Sequence, residues 1–166
     1  YALGILDEMG CDAITISPYM GKDAITPFIG NPSKGVFVLA VTSNNSANEI
    51  QEHGNRTLSL YKKVIQLSNE LNVNDNIGIV VGATKTEVME EVRDESNGMS
   101  WLIPGVGSQG GDLEKALKIS HSKNIGIINV SRGILYAGDG SLNDVIQSAK
   151  NYTNKIRSIV WDPINC

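Results

Sequence analysis

Histidine and cysteine are scarce in this chain, with two of each among 166 residues. His53 and His121 lie far apart in polar segments, and Cys11 and Cys166 stand near opposite ends. No His, Cys and carboxylate cluster therefore has the spacing of a metal site, and the cysteines build no disulfide framework. Such cysteine usage points to a reducing cytoplasm. Basic residues do not outnumber acidic ones: the net charge is −4. That excludes a general nucleic-acid or anionic-membrane surface, although not a local basic pocket. No apolar run approaches the ~20 residues that span a bilayer, and no signal peptide is visible. Repeats, low-complexity segments and internal domain boundaries are also missing.

What is present is an alternation of strand and helix patterns over one domain, residues 1–166. Apolar runs at 12–17, 35–44, 77–84, 101–105 and 125–131 read as strands. Between them, 55–71 places Leu58, Tyr61, Ile65 and Leu71 near helical spacing. Residues 85–96 read as a charged helix with Val88 and Val92 inward, and 112–120 as another helix. The last helix carries Val145, Ala149, Tyr152, Ile156 and Ile159 at the 4-3-4-3 spacing of one face. The first ten residues read as the end of an amphipathic helix, with Leu3, Leu6 and Met9 inward and Gly10 as its stop. The first residue is Tyr1, and the helix has no start signal; the expectation is a chain that has lost something upstream. Strands apolar on both faces suit a parallel α/β sheet. Two architectures fit: an open doubly wound sheet, or the last five βα units of a (β/α)8 TIM barrel, which in full takes ~250 residues.

Ligands of such folds bind beyond the carboxyl ends of the strands. The fourth strand runs into Pro104 and then a glycine-rich loop holding Gln109, ahead of Asp112, where a helical pattern opens. The fifth runs into Ser131, Arg132 and Gly133. Glycine backbone approaches an anion closely, and a helix start adds partial positive charge. Arg132 offers a bidentate grip on phosphate, Gln109 a donor that also reaches a second ligand group, and the backbone at Ser131 and Arg132 further N–H groups. In late barrel units this combination points to a phosphate site. Ser43 and Asn44 end the second strand, where they serve either as caps or as partners of a polar ring. Lys85 reads as a solvated first-turn residue rather than a catalytic ammonium, and Asp139 and Asp144 as turn and helix-start residues.

Five strings occur in order along the chain: DAITISPYMGKDAITPF, VFVLAVTSN, GIVVGAT, IPGVGSQGGD and INVSRGILYAG. Together they resemble the orotidine 5′-monophosphate decarboxylase family, most closely its subgroup with a Pro-Tyr-x-Gly turn and a Thr-Ser-Asn strand end. The resemblance implies a (β/α)8 barrel, usually a homodimer, that converts orotidine monophosphate (OMP) to uridine monophosphate (UMP) and CO₂ without metal or organic cofactor. It implies that Ser43 bonds the pyrimidine, Gln109 bridges phosphate and base, Arg132 with the backbone at Ser131 holds the phosphate, and Pro104 starts the loop that closes beside the base.

Two departures stand out. Where the family continues Thr-Ser-Asn with Pro-Gly, this chain has Asn45-Ser46. The family's catalytic Asp-x-Lys-x-x-Asp motif is absent: no lysine here has an aspartate two before and another three after. That motif belongs to the third barrel strand, so the resemblance places this chain at strands four to eight. The family's chemistry leaves a carbanion that a preorganised ammonium stabilises and protonates. Remote phosphate binding drives closure over the base. The expectation is a chain with the phosphate-and-base half, no catalytic residue of its own, no useful decarboxylase activity alone, and a tendency to self-associate through open strand edges. Two rival readings remain. One is a sugar-phosphate decarboxylase or epimerase of the same architecture. The other is a non-catalytic flavodoxin-like module that binds a phosphorylated ligand.

Overall fold

A computed structural model of the chain describes residues 1–55, 58–107, 110–122 and 124–160. Five strands form one sheet: β1 (Ala13–Ile16), β2 (Gly35–Val41), β3 (Ile77–Val81), β4 (Trp101–Ile103) and β5 (Gly126–Ile128). Every neighbouring pair is parallel, and the spatial order is the order of the chain. The helices are α1 (Asn48–Gln51), α2 (Leu60–Leu71), α3 (Met89–Glu95), α4 (Leu113–Ser120), α5 (Arg132–Leu135) and α6 (Leu142–Val160).

Register and burial together reveal two unlike faces. Val36, Val38, Ile77, Ile79, Trp101 and Ile103 alternate along their strands and are fully buried. They share one core with Tyr61 and Ile65 of α2, Met89 and Val92 of α3, and Leu113, Ala116 and Leu117 of α4. The opposite face carries Thr15, Phe37, Gly78, Val80, Leu102 and Ile127, in register across the sheet. Thr15 is exposed there, and Ile127 is 43% exposed. The helices thus cover one face, and successive helices touch one another: α2 with α3, α3 with α4, α4 with α6. A doubly wound sheet reverses strand order and splits its helices over both faces. This chain does neither, so of the two expected architectures the barrel wall is the one that forms, and the flavodoxin-like reading is not favoured.

Several local expectations need correction. The first segment is one wide, π-type helical turn, Leu3–Glu8, in which only Leu6 is buried; Leu3 and Met9 face solvent. Gly10 does end it, at φ +68°. Leu58 precedes α2 and is exposed. Lys85 and Val88 precede α3, and Arg93 joins Val92 in the core. On α6 the five residues of the expected face are all half-buried.

Candidate functional site

Parallel strands place all their carboxyl ends on one edge of the sheet, and the candidate residues follow three of those ends, β2, β4 and β5. β1 runs into a turn over Pro18-Tyr19-Met20-Gly21, closed by Gly21 N–H to the Pro18 carbonyl at 2.8 Å. Gly21 sits at φ +84°, where a side chain would be strained. Beside this turn, Ser17, Tyr19, Leu39, Ile50, Gln51 and Leu60 line a cleft of about 240 Å³.

β2 carries an irregularity between Leu39 and Val41. An extra residue in a strand turns the following side chains, so Thr42 and Ser43 leave the sheet re-aimed. Gln51 of α1 pins this strand end: its Oε1 accepts from Thr42 N–H at 2.8 Å, and its Nε2 donates to Thr42 Oγ1 at 2.9 Å. Ser43 is half-buried and packs on Gly82 at the end of β3, so closely that a Cβ on residue 82 would stand 2.6 Å from the Ser43 nitrogen. Asn45 and Ser46 form a turn closed by Ala47 N–H to the Asn44 carbonyl at 3.2 Å, leading into α1. Asn44 itself is exposed.

β3 and β4 are joined above the sheet by Ala83 N–H to the Pro104 carbonyl, 2.8 Å, and by Asp112 N–H to the Ala83 carbonyl, 3.3 Å. Pro104 is half-buried at the loop start. The loop folds on itself through Gly110 N–H to Gly107 O, 2.9 Å, and Gly111 N–H to Gly105 O, 3.1 Å. Gly105, Gly107 and Gly110 all have positive φ, a path that only glycine follows readily. Gln109 lies outside the described residues. Asp112 caps α4, its Oδ1 accepting from Lys115 N–H at 3.0 Å. The start of α4 therefore already has a carboxylate, and an anion here is left to the loop amides rather than the helix dipole.

β5 reaches the rim through Asn129, whose N–H donates to the Ile103 carbonyl at 3.0 Å. Ser131 precedes α5, and its Oγ donates to Asn129 Oδ1 at 3.2 Å. Arg132 is the first residue of α5 and is exposed. α5 is four residues long, so its dipole is slight and the guanidinium supplies the charge. Ser43, Pro104, Ser131 and Arg132 thus all lie on the carboxyl edge.

The remaining polar residues take structural places. Lys85 Nζ pairs with Glu52 at 3.2 Å and is not a solvated helix residue. His53 and His121 are exposed, as expected. Asp139 Oδ1 accepts from Ser141 N–H at 2.9 Å, and that bond holds its carboxyl below the usual range. Cys11 is a free thiol, and Cys166 lies outside the described residues. Among the described residues no three His, Cys, Asp or Glu side chains could hold a metal, and no helix is long and apolar enough to cross a membrane.

Sequence reasoning missed Gln51, whose only signal is its place soon after the strand end it holds. It also missed Arg93, 2% exposed between helices. Its guanidinium lies 4.4 Å from the Trp101 ring centroid and donates to the carbonyls of Met99 (2.6 Å) and Ser120 (3.1 Å).

Residues 1–143 match the orotidine 5′-phosphate decarboxylase / HUMPS family. An orotidine 5′-phosphate decarboxylase of Christiangramia forsetii is 43% identical over 151 residues, covering 90% of this chain and 56% of that protein. One from Dehalococcoides mccartyi is 39% identical over 166 residues, covering 96% of this chain and 61% of its own length. The solved OMP decarboxylase of Leishmania donovani superposes with a TM-score of 0.84 at 34% identity, over 96% of this chain and 61% of that one. The chain thus spans a little over half the length of the curated relatives it matches. A family match over residues 1–143 and a barrel wall of the same shape agree: the chain belongs to the orotidine 5′-phosphate decarboxylase / HUMPS family.

Proposed function

We propose that this chain binds the phosphate and the pyrimidine of OMP and UMP within an orotidine 5′-phosphate decarboxylase, a carboxy-lyase of pyrimidine nucleotide synthesis. The observation that carries the reading is the family match over residues 1–143. It is supported by the common edge on which Ser43, Pro104, Ser131 and Arg132 stand. Arg132 grips the phosphate bidentately, with charge-assisted bonds worth ~1.5–3 kcal/mol each. The amides of the glycine loop and Gln109 join it, and Ser43 addresses the base. The Asp-x-Lys-x-x-Asp carboxylates and ammonium do not occur in these 166 residues. The chain therefore contributes binding energy and closure, and it does not itself turn over substrate. The working protein is a cytoplasmic homodimer in this reading.

A thermal melt with and without UMP tests it. Ligand at 100 times its Kd adds about 2.7 kcal/mol of stability, so the midpoint should rise with UMP and stay put with uridine. A cooperative melt that UMP leaves unmoved would overturn the nucleotide assignment.

A further inference from the structure

The two loops assigned to the phosphate come from different strands, and little backbone joins them. The last backbone hydrogen bond between β4 and β5 is Asn129 N–H to Ile103 O; beyond it, among the described residues, the loops share none. What spans the gap is α6. Ser148 Oγ donates to the Gly133 carbonyl at 2.8 Å. One helical turn later, the Tyr152 hydroxyl lies against Gly133, 2.8 Å from where a Cβ on that residue would be. The same hydroxyl lies against Gly107, where a Cβ would collide with it outright. The Tyr152 ring is packed against the core, so its tip is held by a rigid element.

We propose that Tyr152, assisted by Ser148, is a positioning residue of the phosphate site. Its hydroxyl is the spacer that sets the separation of the glycine loop after β4 and the Arg132 turn after β5. The inference rests on the reading of those loops given under Proposed function. An anion gripped from two sides is bound well only when both sides are held at the right distance, and a misplacement of about 1 Å is costly. Glycine at 107 and 133 then has a stated reason: each lets the backbone close on the hydroxyl. The contact also explains why the last helix carries a tyrosine in a face of otherwise aliphatic residues.

Tyr152→Phe keeps the ring and removes the spacer. With the full chain, UMP and uridine are titrated against wild type, Tyr152→Phe, Ser148→Ala and Arg132→Ala. Tyr152→Phe should weaken UMP roughly tenfold through a displaced phosphate grip, and leave uridine, which has no phosphate, unchanged. Ser148→Ala should act in the same direction by less, and the ligand-free melts of both should stay near wild type. If Arg132→Ala weakens UMP and Tyr152→Phe does not, the positioning role fails alone. Equal losses of UMP and uridine in Tyr152→Phe would also overturn it, since a general structural defect spares neither. If wild type shows no preference for UMP, or Arg132→Ala keeps it, the phosphate reading fails and takes this role with it.

Discussion

A methyl group on residue 82 would stand 2.6 Å, 2.8 Å and 2.9 Å from the nitrogen, Cα and Cβ of Ser43. Gly82 is buried and sits at the end of β3, so the clash cannot be relieved into solvent. Gly82→Ala should therefore push Ser43 off its place. The expected result is a stability loss of ~1–3 kcal/mol, as for other overpacked sites, measured by urea unfolding, and weaker UMP binding by titration. Arg93 is a residue of the opposite kind, a full charge in the interior with no carboxylate among the described residues hydrogen-bonded to it. Burial lowers its pKa, and its charge is met by carbonyl dipoles and the Trp101 ring. The Ser120 carbonyl it binds ends α4, where a cation is favoured. Arg93→Ala leaves a cavity and two carbonyls without this donor and should cost roughly 3 kcal/mol or more. Arg93→Lys should recover little of that, because an ammonium cannot reproduce the planar fork. Denaturant titration of both variants checks this.

At the scale of elements, α2 and α3 are tied by a cluster whose protonation matters. Tyr61 donates to Glu91 at 3.0 Å, and Lys62 Nζ lies 2.5 Å from Glu91 and 3.1 Å from Glu95. Burial first, then the Glu91 carboxylate, raises the Tyr61 pKa; the hydrogen bond to Glu91 raises that of Lys62. Both groups are held in their protonated forms by the fold. Their contribution is complete below the unfolded values and is lost as pH climbs through the folded ones. Stability should be flat through neutral pH and fall above about pH 10. Glu91→Gln should flatten that alkaline fall, and melts taken from pH 7 to pH 11 would show it. The elements themselves were largely legible in the sequence. All five strands and the main helices α2, α3, α4 and α6 form where periodicity places them. The errors share one cause. Spacing says which residues lie on a face, but not whether another element covers it. Leu3, Met9 and Leu58 have the right spacing and meet solvent. Arg93 has the wrong chemistry for a core and is buried because Met99, Trp101 and Ser120 arrive with partners for it.

Over the whole molecule, the rim positions of Ser43, Pro104, Ser131 and Arg132 were legible because strand ends are visible in a sequence. The contacts that position them were not. Tyr152 reads as one more apolar residue on a helix face, and nothing local reveals that its hydroxyl reaches residues 107 and 133. Gln51 likewise shows no sign of gripping Thr42. Long-range placement of a side-chain tip depends on packing that periodicity does not encode.

The strictly sequential order of the sheet has a consequence in time. Each strand depends only on its immediate neighbours, and the middle one is the best enclosed: every residue of β3 is buried, while β5 is only half-buried. Local openings draw first on the segments with fewest buried contacts. Amide hydrogens should therefore exchange with deuterium fastest in β1 and β5, more slowly in β2 and β4, and last in β3. Mass spectrometry of the exchanging chain would resolve that gradient. Uniform protection across the five strands would mean that the wall opens as a single unit.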